Sequence, residues 1–428
     1  MAKGMVKTAG IFCCAAVMLG TKMASGAGFQ LYTEGSAEAL GQAGALSARE
    51  DAVSNAWYNP AALAGFPQRE LMLGNTSVDL DIEYSDNSRS VETDGDWCYV
   101  PHFYYVHPLS ERLTASLALN VPYGLATEWP GNWLGNQLAI DTYVEAMYLT
   151  PAVSLQMTDR LALAAGFNVV RTSAEIRRSL LFSELELNAD GYGVGYLLAA
   201  HYKPHEDWGV GLKFQSRVDM TLRGQAIYTN PGSFDTTPGV AGGPWLNLRE
   251  DDAEGDLRLP ATLTLGITNN SLQRWTFGCD IVWSEWSTYD ELAFRFDSIP
   301  AAMYPAPGVT VPGEASTAKS WTDVFSYRFG AEYILTENWR LRGGYVYDQS
   351  PVKEETRAPE MPGSDRHMLM LGVGYETESW GVDLAYSYLM AKKADAGSTT
   401  VLPAQALAPE GEYETRAHLV SLSLSYRF

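Results

Sequence analysis

The C-terminal residues alternate between large apolar side chains and small or charged polar ones. Successive side chains of a β-strand point to opposite faces, so this period of two predicts a strand with one face against an apolar phase and the other against a wet interior. A strand of a soluble sandwich alternates in the same way, but it rarely ends a chain on an exposed aromatic. The apolar face carries Val420, Leu422, Leu424, Tyr426 and Phe428.

The same alternation recurs from about residue 70 onwards, and the stretches are joined by short polar turns and long polar loops in strict succession. This asymmetry is typical of outer-membrane barrels, whose turns face the periplasm and whose loops face outside. An even number of strands lets both chain ends lie in the periplasm. We expect fourteen strands, at about 71–84, 97–107, 112–124, 140–157, 161–177, 190–202, 208–228, 254–268, 274–296, 321–335, 339–350, 365–375, 380–391 and 412–428.

Residues 1–27 are predicted to be a cleaved export signal. Two lysines precede a nine-residue apolar run, Ile11 to Leu19, and small residues follow it. As a helix this run rises about 14 Å, far less than the roughly 30 Å of a bilayer core, so it is too short for a membrane anchor. Cleavage after Gly26 and cleavage after Ala27 both satisfy the small-residue rule.

Composition excludes several classes of protein. No later stretch reaches 18 apolar residues, so no membrane helix is predicted. The formal net charge is −21, and three lysines lie in the signal, so the mature chain is near −21 − 3 = −24. This charge argues against nucleic-acid binding, which needs a basic face. Cys98 and Cys279 are expected to be unpaired thiols, and no Cys/His cluster or cofactor motif predicts a metal or cofactor site.

Residues 28–69 do not alternate as a barrel strand does. They are rich in Gly, Ala and Ser and poor in charge, and Pro60 redirects the chain in their middle. Small residues permit tight packing of short helical pieces. We therefore expect a compact plug inside the barrel rather than a periplasmic tail, with the barrel itself formed by residues 70–428.

Four motifs resemble the FadL/TodX-type outer-membrane transporters, the family of long-chain fatty acid and aromatic hydrocarbon uptake barrels. Gly28-Phe29-Gln30-Leu31 resembles the mature start of that family, and Asn59-Pro60-Ala61 its NPA motif. Tyr123-Gly124-Leu125-Ala126-Thr127-Glu128-Trp129 is similar to the stretch that leaves the third strand, and Gly166-Phe167-Asn168 is a looser match. The resemblance spans the whole mature chain.

This resemblance implies an all-β fold of fourteen antiparallel strands, plugged by an N-terminal hatch. It implies that Phe29 and Leu31 lie at a ligand pocket and compete with the ligand. Asn59, Pro60 and Ala61 would hold the hatch turn. The family also has a kinked third strand beside a sideways exit, and Pro122, which cannot donate to the ladder, is a candidate for the kink.

The residues themselves suggest further ligand contacts. Trp129, Trp133 and Leu134, in the long loop after the third strand, are candidates for an apolar outer groove, although packing or lipopolysaccharide contacts would use the same aromatics. If the ligand is a fatty acid, a cation must meet its carboxylate, and Arg171 and Arg177 are candidates. Arginines at barrel rims also bind lipopolysaccharide phosphates, so both interpretations stand.

Passive uptake of hydrophobic compounds across the outer membrane, most of all long-chain fatty acids, is the predicted function. Uptake of aromatic or alkane hydrocarbons is the alternative, and a general hydrophilic porin is a further one. An enzyme is not expected, because no His lies in a motif with Ser or Asp at the rim. Expected partners are the hydrophobic ligand, lipopolysaccharide and other outer-membrane lipids, and the barrel-assembly machinery through Phe428.

Overall fold

The chain forms a closed antiparallel β-barrel in a computed structural model that describes residues 29–179, 184–229, 250–296, 314–396 and 410–428. The predicted fourteen strands are confirmed. They are β1 Glu70–Ser85, β2 Cys98–Pro108, β3 Leu113–Glu128, β4 Asp141–Gln156, β5 Leu161–Ser179, β6 Glu184–His205, β7 Trp208–Gln215 with Val218–Thr229, β8 Glu250–Leu259 with Thr262–Leu272, β9 Trp275–Ser284 with Glu291–Phe296, β10 Glu314–Ala318 with Val324–Ile334, β11 Trp339–Asp348, β12 Arg366–Glu376, β13 Trp380–Ala391 and β14 Glu412–Arg427.

Each strand pairs with its neighbour in the chain, and β1 pairs with β14 from Glu70↔Arg427 to Ser85↔Glu412, which closes the ring. The predicted signal peptide lies outside the described residues. None of the helices among the described residues is long and apolar enough to cross a bilayer. Two expected strands are longer than predicted, because β3 continues to Glu128 and β6 begins at Glu184.

Large apolar side chains face outwards along the strands, and tryptophans stand where short turns end. Four strands begin with a tryptophan that is at least 40% exposed, which places an aromatic girdle at the turn end of the barrel. The C-terminal Phe428 ends at the same rim, where its N–H donates to Arg69 O at 3.1 Å. The four tryptophans are Trp208, Trp275, Trp339 and Trp380.

The interior changes character along the barrel axis. In the half near the turns, buried inward-facing side chains are polar, among them Thr150, Asn168 and His201. In the half near the long loops, the inward positions of the same strands are apolar, as at Leu187 and Leu222. The polar half surrounds residues 41–63, whereas the apolar half surrounds a cavity that Phe29 helps to line.

The ladder is interrupted at the same height in four neighbouring strands, β7 to β10. The breaks at 216–217, 260–261, 285–290 and 319–323 lie opposite one another, as the register around them shows. The sequence predicted uninterrupted strands at 208–228, 254–268 and 274–296, and all three predictions miss these breaks. The breaks turn aromatic side chains, including Trp286 and Trp321, into the barrel.

Candidate functional site

Residues 29–63 form a luminal segment that crosses the barrel from wall to wall. It contains a 3-10 turn, Thr33–Gly35, the helices α1 Ala37–Gly41 and α2 Asn55–Tyr58, and a second 3-10 turn, Pro60–Leu63. Helix α1 is capped by Ser36, whose Oγ accepts a hydrogen bond from Ala39 N at 3.0 Å. It packs against β11 to β14, whereas the second turn packs against β4 to β6.

A belt of glycines in the wall makes room for residues 41–48 of this segment. A Cβ added to Gly344 would lie 2.7 Å from Ala43 N, and one added to Gly209 would lie 2.5 Å from Ala48 O. Real Cβ atoms do not approach backbone so closely, so the wall must be bare at these points. The glycine belt runs through consecutive strands: Gly209 and Gly211 in β7, Gly266 in β8, Gly278 in β9, Gly330 in β10, Gly344 in β11 and Gly372 in β12.

The Asn-Pro-Ala sequence fixes the other end of the luminal segment. Asn59 is fully buried, and its Nδ2 donates to Ser47 O at 2.6 Å and to Ala200 O at 3.1 Å, while its Oδ1 accepts from Ala61 N. Pro60 starts the second 3-10 turn, and its carbonyl accepts from Ser154 Oγ at 2.5 Å. One asparagine thus joins two parts of the segment to the wall.

Arg49 joins the luminal segment to a network of buried ion pairs in the barrel wall. Arg49 lies 2.6 Å from Asp51 and 3.1 Å from Glu332 of β10. Arg342 of β11 lies 2.7 Å from Glu332 and also pairs with Asp383 of β13. Every side chain except that of Asp51 is at most 6% exposed, so removing one partner would strand a buried charge.

Glu38 of α1 adds a further carboxyl to this cluster. Burial raises the pKa of Glu38 to about 8. The nearby guanidinium groups of Arg342 and Arg49 oppose the rise, and the carboxylates of Asp383 and Glu332 add to it. The cluster therefore holds two guanidinium groups against three carboxylates and a Glu38 carboxyl that keeps its proton at neutral pH.

Residues 29–32, the N-terminal strip, are held differently. Phe29 adopts a φ of 46°, a conformation that non-glycine residues rarely take, and its ring lies 4.9 Å from that of Trp286 and 6.1 Å from that of Trp321. Gln30 forms a β-bridge with Tyr123, and Leu31 N donates to Pro122 O at 2.7 Å. The strip therefore lies as a short extra strand beside β3.

β3 is irregular where this strip meets it. Its register against β4 shifts between Asn120 and Tyr123, so Val121 and Pro122 form a bulge. Pairing between β2 and β3 runs only from Phe103↔Leu119 to Pro108↔Thr114, whereas the other end of β3 pairs with β4 alone among the described strands. Backbone pairing between β2 and β3 therefore stops at Leu119, and the chain that precedes β2 contacts the backbone of β3 again where Asp94 N donates to Glu128 O at 2.8 Å. We call the stretch between these two points, where β2 and β3 are unpaired, the lateral gap.

An apolar cavity lies on the other side of the N-terminal strip. Its volume is about 50 Å³. Its wall includes Phe29, the broken strands with Tyr289 and Trp321, and inward side chains such as Leu125 and Leu222. Leu31 belongs instead to a second buried cluster, with Val100 of β2 and Val121 of β3. Phe29 and Leu31 therefore partition the cavity from the lateral gap.

Three charged side chains line this cavity: Asp256 of β8, which pairs with Arg295 at 3.0 Å, and the ion pair of Lys319 with Glu360. Lys319, in the break of β10, pairs with Glu360, in the loop that joins β11 to β12. The two side chains are 6% and 15% exposed. Among the lining residues that the structure describes, Lys319 is the only cation. A negatively charged ligand in the cavity therefore has one cation to meet, and that cation already has a partner.

Comparison with known proteins identifies the family. The model of the outer membrane protein transport protein family (OMPP1/FadL/TodX) matches residues 17–428. The chain belongs to this family. Its location is the outer membrane and its class is transport, so the predicted localisation and the prediction of a transporter rather than an enzyme are confirmed.

Several members of the FadL/TodX family are similar along their whole length. The long-chain fatty acid transport protein of Escherichia coli O6:H1 is 24% identical over 452 residues, covering 96% of this chain and 97% of that protein. A Pseudomonas aeruginosa FadL homologue superposes with a TM-score of 0.77 at 23% identity, covering 96% of this chain and all of that one. The Ralstonia pickettii toluene transporter TbuX gives 0.68 at 18%, covering 94% and 100%. These structures share the fold.

The predicted outer-groove residues of this FadL/TodX member lie away from the cavity. Trp129 and Trp133 are 1% and 3% exposed and stack at 4.4 Å between ring centroids. They pack against Tyr84 and Tyr413 beneath the long loops, and only Leu134, at 43% exposed, faces outwards. The described structure therefore uses both tryptophans as packing.

The two predicted arginines also lie outside the cavity. Arg171 lines a separate polar hollow of about 740 Å³, together with Glu145 and Arg223. Arg177 pairs with Asp141 at 2.6 Å and with Glu184 at 3.4 Å. The hollow and the cavity share wall residues such as Leu125, but the cavity has its own cation in Lys319.

Sequence reasoning missed Lys319, Glu360 and the glycine belt. The sequence did contain one signal for the breaks, because the period-two alternation of apolar residues changes phase there. Trp283 shares the outward, apolar face of β9, and Trp286 follows three residues later, so the two cannot share a face of one strand. No comparable pattern marks Lys319. It is one charged residue in the polar stretch 297–320 that joins the predicted strands 274–296 and 321–335.

Proposed function

We propose that this protein carries long-chain fatty acids passively across the outer membrane, through the apolar cavity and out by the lateral gap. The observation that carries the proposal is a buried lysine in the wall of a mostly apolar cavity, where Glu360 and Asp256 are the other charged lining residues. An acyl chain gains roughly 25 cal/mol for each Å² of apolar surface that leaves water, and the carboxylate requires a cation, which Lys319 supplies. The name of the Escherichia coli relative supports the same substrate class.

The geometry also supports a route. The cavity is smaller than the roughly 150 Å³ that admits benzene in a protein core, so a ligand must displace part of the wall. Phe29 is the natural part to move, because its ring faces the cavity and its backbone conformation is strained. Withdrawal of Phe29 and Leu31 would join the cavity to the lateral gap, and the acyl chain would pass into the membrane without crossing water.

Neutral hydrocarbons are the second candidate. Glu360 already neutralises Lys319, so the described lining of the cavity carries no unpaired positive charge that a ligand anion would have to neutralise. Toluene transport by TbuX, a protein of the same fold, makes this candidate concrete. A general hydrophilic porin is disfavoured, because residues 29–63 lie across the lumen and their polar groups are bonded to its wall.

Equilibrium binding to the purified protein in detergent tests the proposal. Labelled C16 fatty acid should bind saturably, and toluene should displace it poorly. Lys319→Met should weaken binding of the acid by tenfold or more, because a charge-assisted hydrogen bond contributes about 1.5–3 kcal/mol, and should leave binding of the C16 alcohol within about twofold. The control is Lys203→Met, which alters a half-exposed lysine paired with Glu50 far from the cavity. Equal weakening of acid and alcohol, or displacement of the acid by toluene, would favour neutral ligands.

A further inference from the structure

The Lys319–Glu360 pair links the wall of the cavity to β3, the strand with the bulge at Val121 and Pro122. Glu360 lies in loop 349–365 between β11 and β12, and its backbone carbonyl accepts a hydrogen bond from Thr127 Oγ1 of β3 at 2.9 Å. The neighbouring Pro359 carbonyl accepts from Trp129 Nε1 at 3.1 Å. The loop that carries the carboxylate of the pair is therefore bonded to the outer end of β3.

The same loop covers the cavity. Met361 lines the cavity directly, and Thr356 Oγ1 donates to Lys319 O at 2.6 Å. Thr322 N donates to Pro351 O at 3.2 Å, on the same side. These contacts hold loop 349–365 against the break in β10, and the ion pair is the only contact among them that a ligand carboxylate can imitate.

We infer that Glu360 occupies the place of the ligand's carboxylate, so that an anionic amphiphile enters by replacing Glu360 on Lys319 and thereby releases loop 349–365. This inference rests on the proposed fatty acid function. It makes Glu360 a residue that sets specificity: an acid exchanges one carboxylate for another at the same ammonium, whereas a neutral molecule leaves the pair closed.

Charge balance makes this exchange feasible. Leaving Lys319 alone in an apolar cavity would be costly, but during exchange the ammonium always has an anionic partner. The displaced Glu360 needs water, and its side chain is already 15% exposed on a loop. Because Glu360 is tethered near Lys319, it competes with the ligand at a high effective concentration, so it lowers the affinity for anions specifically.

The test compares C16 acid and C16 alcohol binding in the full-length protein. Glu360→Gln keeps the shape of the side chain and removes the competing charge, so it should tighten acid binding roughly tenfold and change alcohol binding less than about twofold. The double variant Lys319→Met/Glu360→Gln should bind the acid no better than Lys319→Met does, because the gain requires the ammonium.

Glu355→Gln is the matched control, since Glu355 lies exposed in the same loop. If Glu360→Gln fails to insert, Glu360→Asp keeps the charge with a shorter reach and should tighten acid binding in the same direction by a smaller factor. Acid binding that is unchanged or weaker in these variants, or a gain shared by the alcohol, overturns the role of Glu360 while leaving the proposed substrate. Absence of acid binding to the wild type overturns both.

Discussion

The two ends of the luminal segment are held in the barrel by different means. Residues 41–63 are fixed by shape and by polar contacts: the glycine belt receives their backbone, Asn59 bonds to two carbonyls, and Arg49 pairs with the wall. The N-terminal strip depends on apolar ring contacts of Phe29 and on the two-residue bridge to β3.

This difference indicates which part moves. Breaking a buried ion pair typically costs about 3–5 kcal/mol, and residues 41–63 are held to the wall by the Arg49–Glu332 pair together with the hydrogen bonds of Asn59 and Pro60. Apolar contacts of Phe29 can be exchanged for apolar contacts with a ligand, at little net cost. We therefore expect residues 41–63 to stay in place during transport, while the N-terminal strip leaves the position between cavity and lateral gap.

The largest effect is expected from tying the strip to β3. Gln30 and Tyr123 face each other in an antiparallel bridge, where Cα atoms are about 4.5–5.5 Å apart, within the range of a disulfide. Gln30→Cys/Tyr123→Cys, made in a Cys98→Ser/Cys279→Ser background, should take up fatty acid only when reduced. Uptake by whole cells with and without a reductant measures this, and each protein is its own control.

A second disulfide tests whether the rest of the luminal segment stays in place during uptake. Ser423 Oγ accepts from Ala37 N at 2.8 Å, so Ala37→Cys/Ser423→Cys would bring two thiols close together and tie helix α1, which leads directly into residues 41–63, to β14. Oxidation of this pair should leave uptake unchanged. If both disulfides abolish uptake, the whole segment moves; if neither does, the strip is not the gate.

The alternation of side chains was enough to predict the barrel. Its period of two and its short turns gave the strand number and, within a few residues, most strand ends, because burial of every second residue is imposed by the membrane itself. The motif resemblance also led to Phe29 and Pro122, which the structure places at the cavity and at the bulge of β3.

Contacts between distant residues could not be read from the chain. Lys319 and Glu360 are 41 positions apart, and each is an ordinary charged residue in a polar loop. Trp129 and Trp133 suggested an exposed groove, yet the loop that carries them folds inwards onto Tyr84 and Tyr413. Such placements depend on how loops pack over the barrel, which local patterning does not encode.

The next effect in size is the pH dependence of stability that Glu38 of helix α1 produces, next to the fixed residues 41–63. Glu38 keeps its proton more tightly in the folded protein, where its pKa is about 8, than when unfolded, where the ordinary value is 4.5. Its contribution to stability is therefore complete below pH 4.5 and is lost progressively as the pH rises through 8.

Glu38→Gln should remove this slope. Urea unfolding of the purified protein between pH 5 and pH 8.5 should show a fall of a few kcal/mol for the wild type and a flatter curve for the variant, which becomes the more stable protein at pH 8.5. Glu354→Gln, at an exposed position of loop 349–365, should follow the wild type. Parallel curves for the wild type and Glu38→Gln would mean that Glu38 is not buried in the ion-pair cluster.

The smallest effect is expected on stability and ion conductance, from alanine substitution of two adjacent glycines of β11. A Cβ on Gly344 would meet Ala43 N at 2.7 Å and Ala43 Cβ at 2.9 Å, whereas the nearest atom to a Cβ on Gly343 is Met370 O at 4.0 Å. Gly344→Ala must therefore displace the luminal segment or the wall, at about 1–3 kcal/mol of stability, and should raise ion conductance in planar bilayers. Gly343→Ala makes the same chemical change on the opposite face and should behave as wild type. Equal behaviour of the two variants would show that residues 41–48 yield easily, and the distinction between a fixed part and a moving strip would then fail.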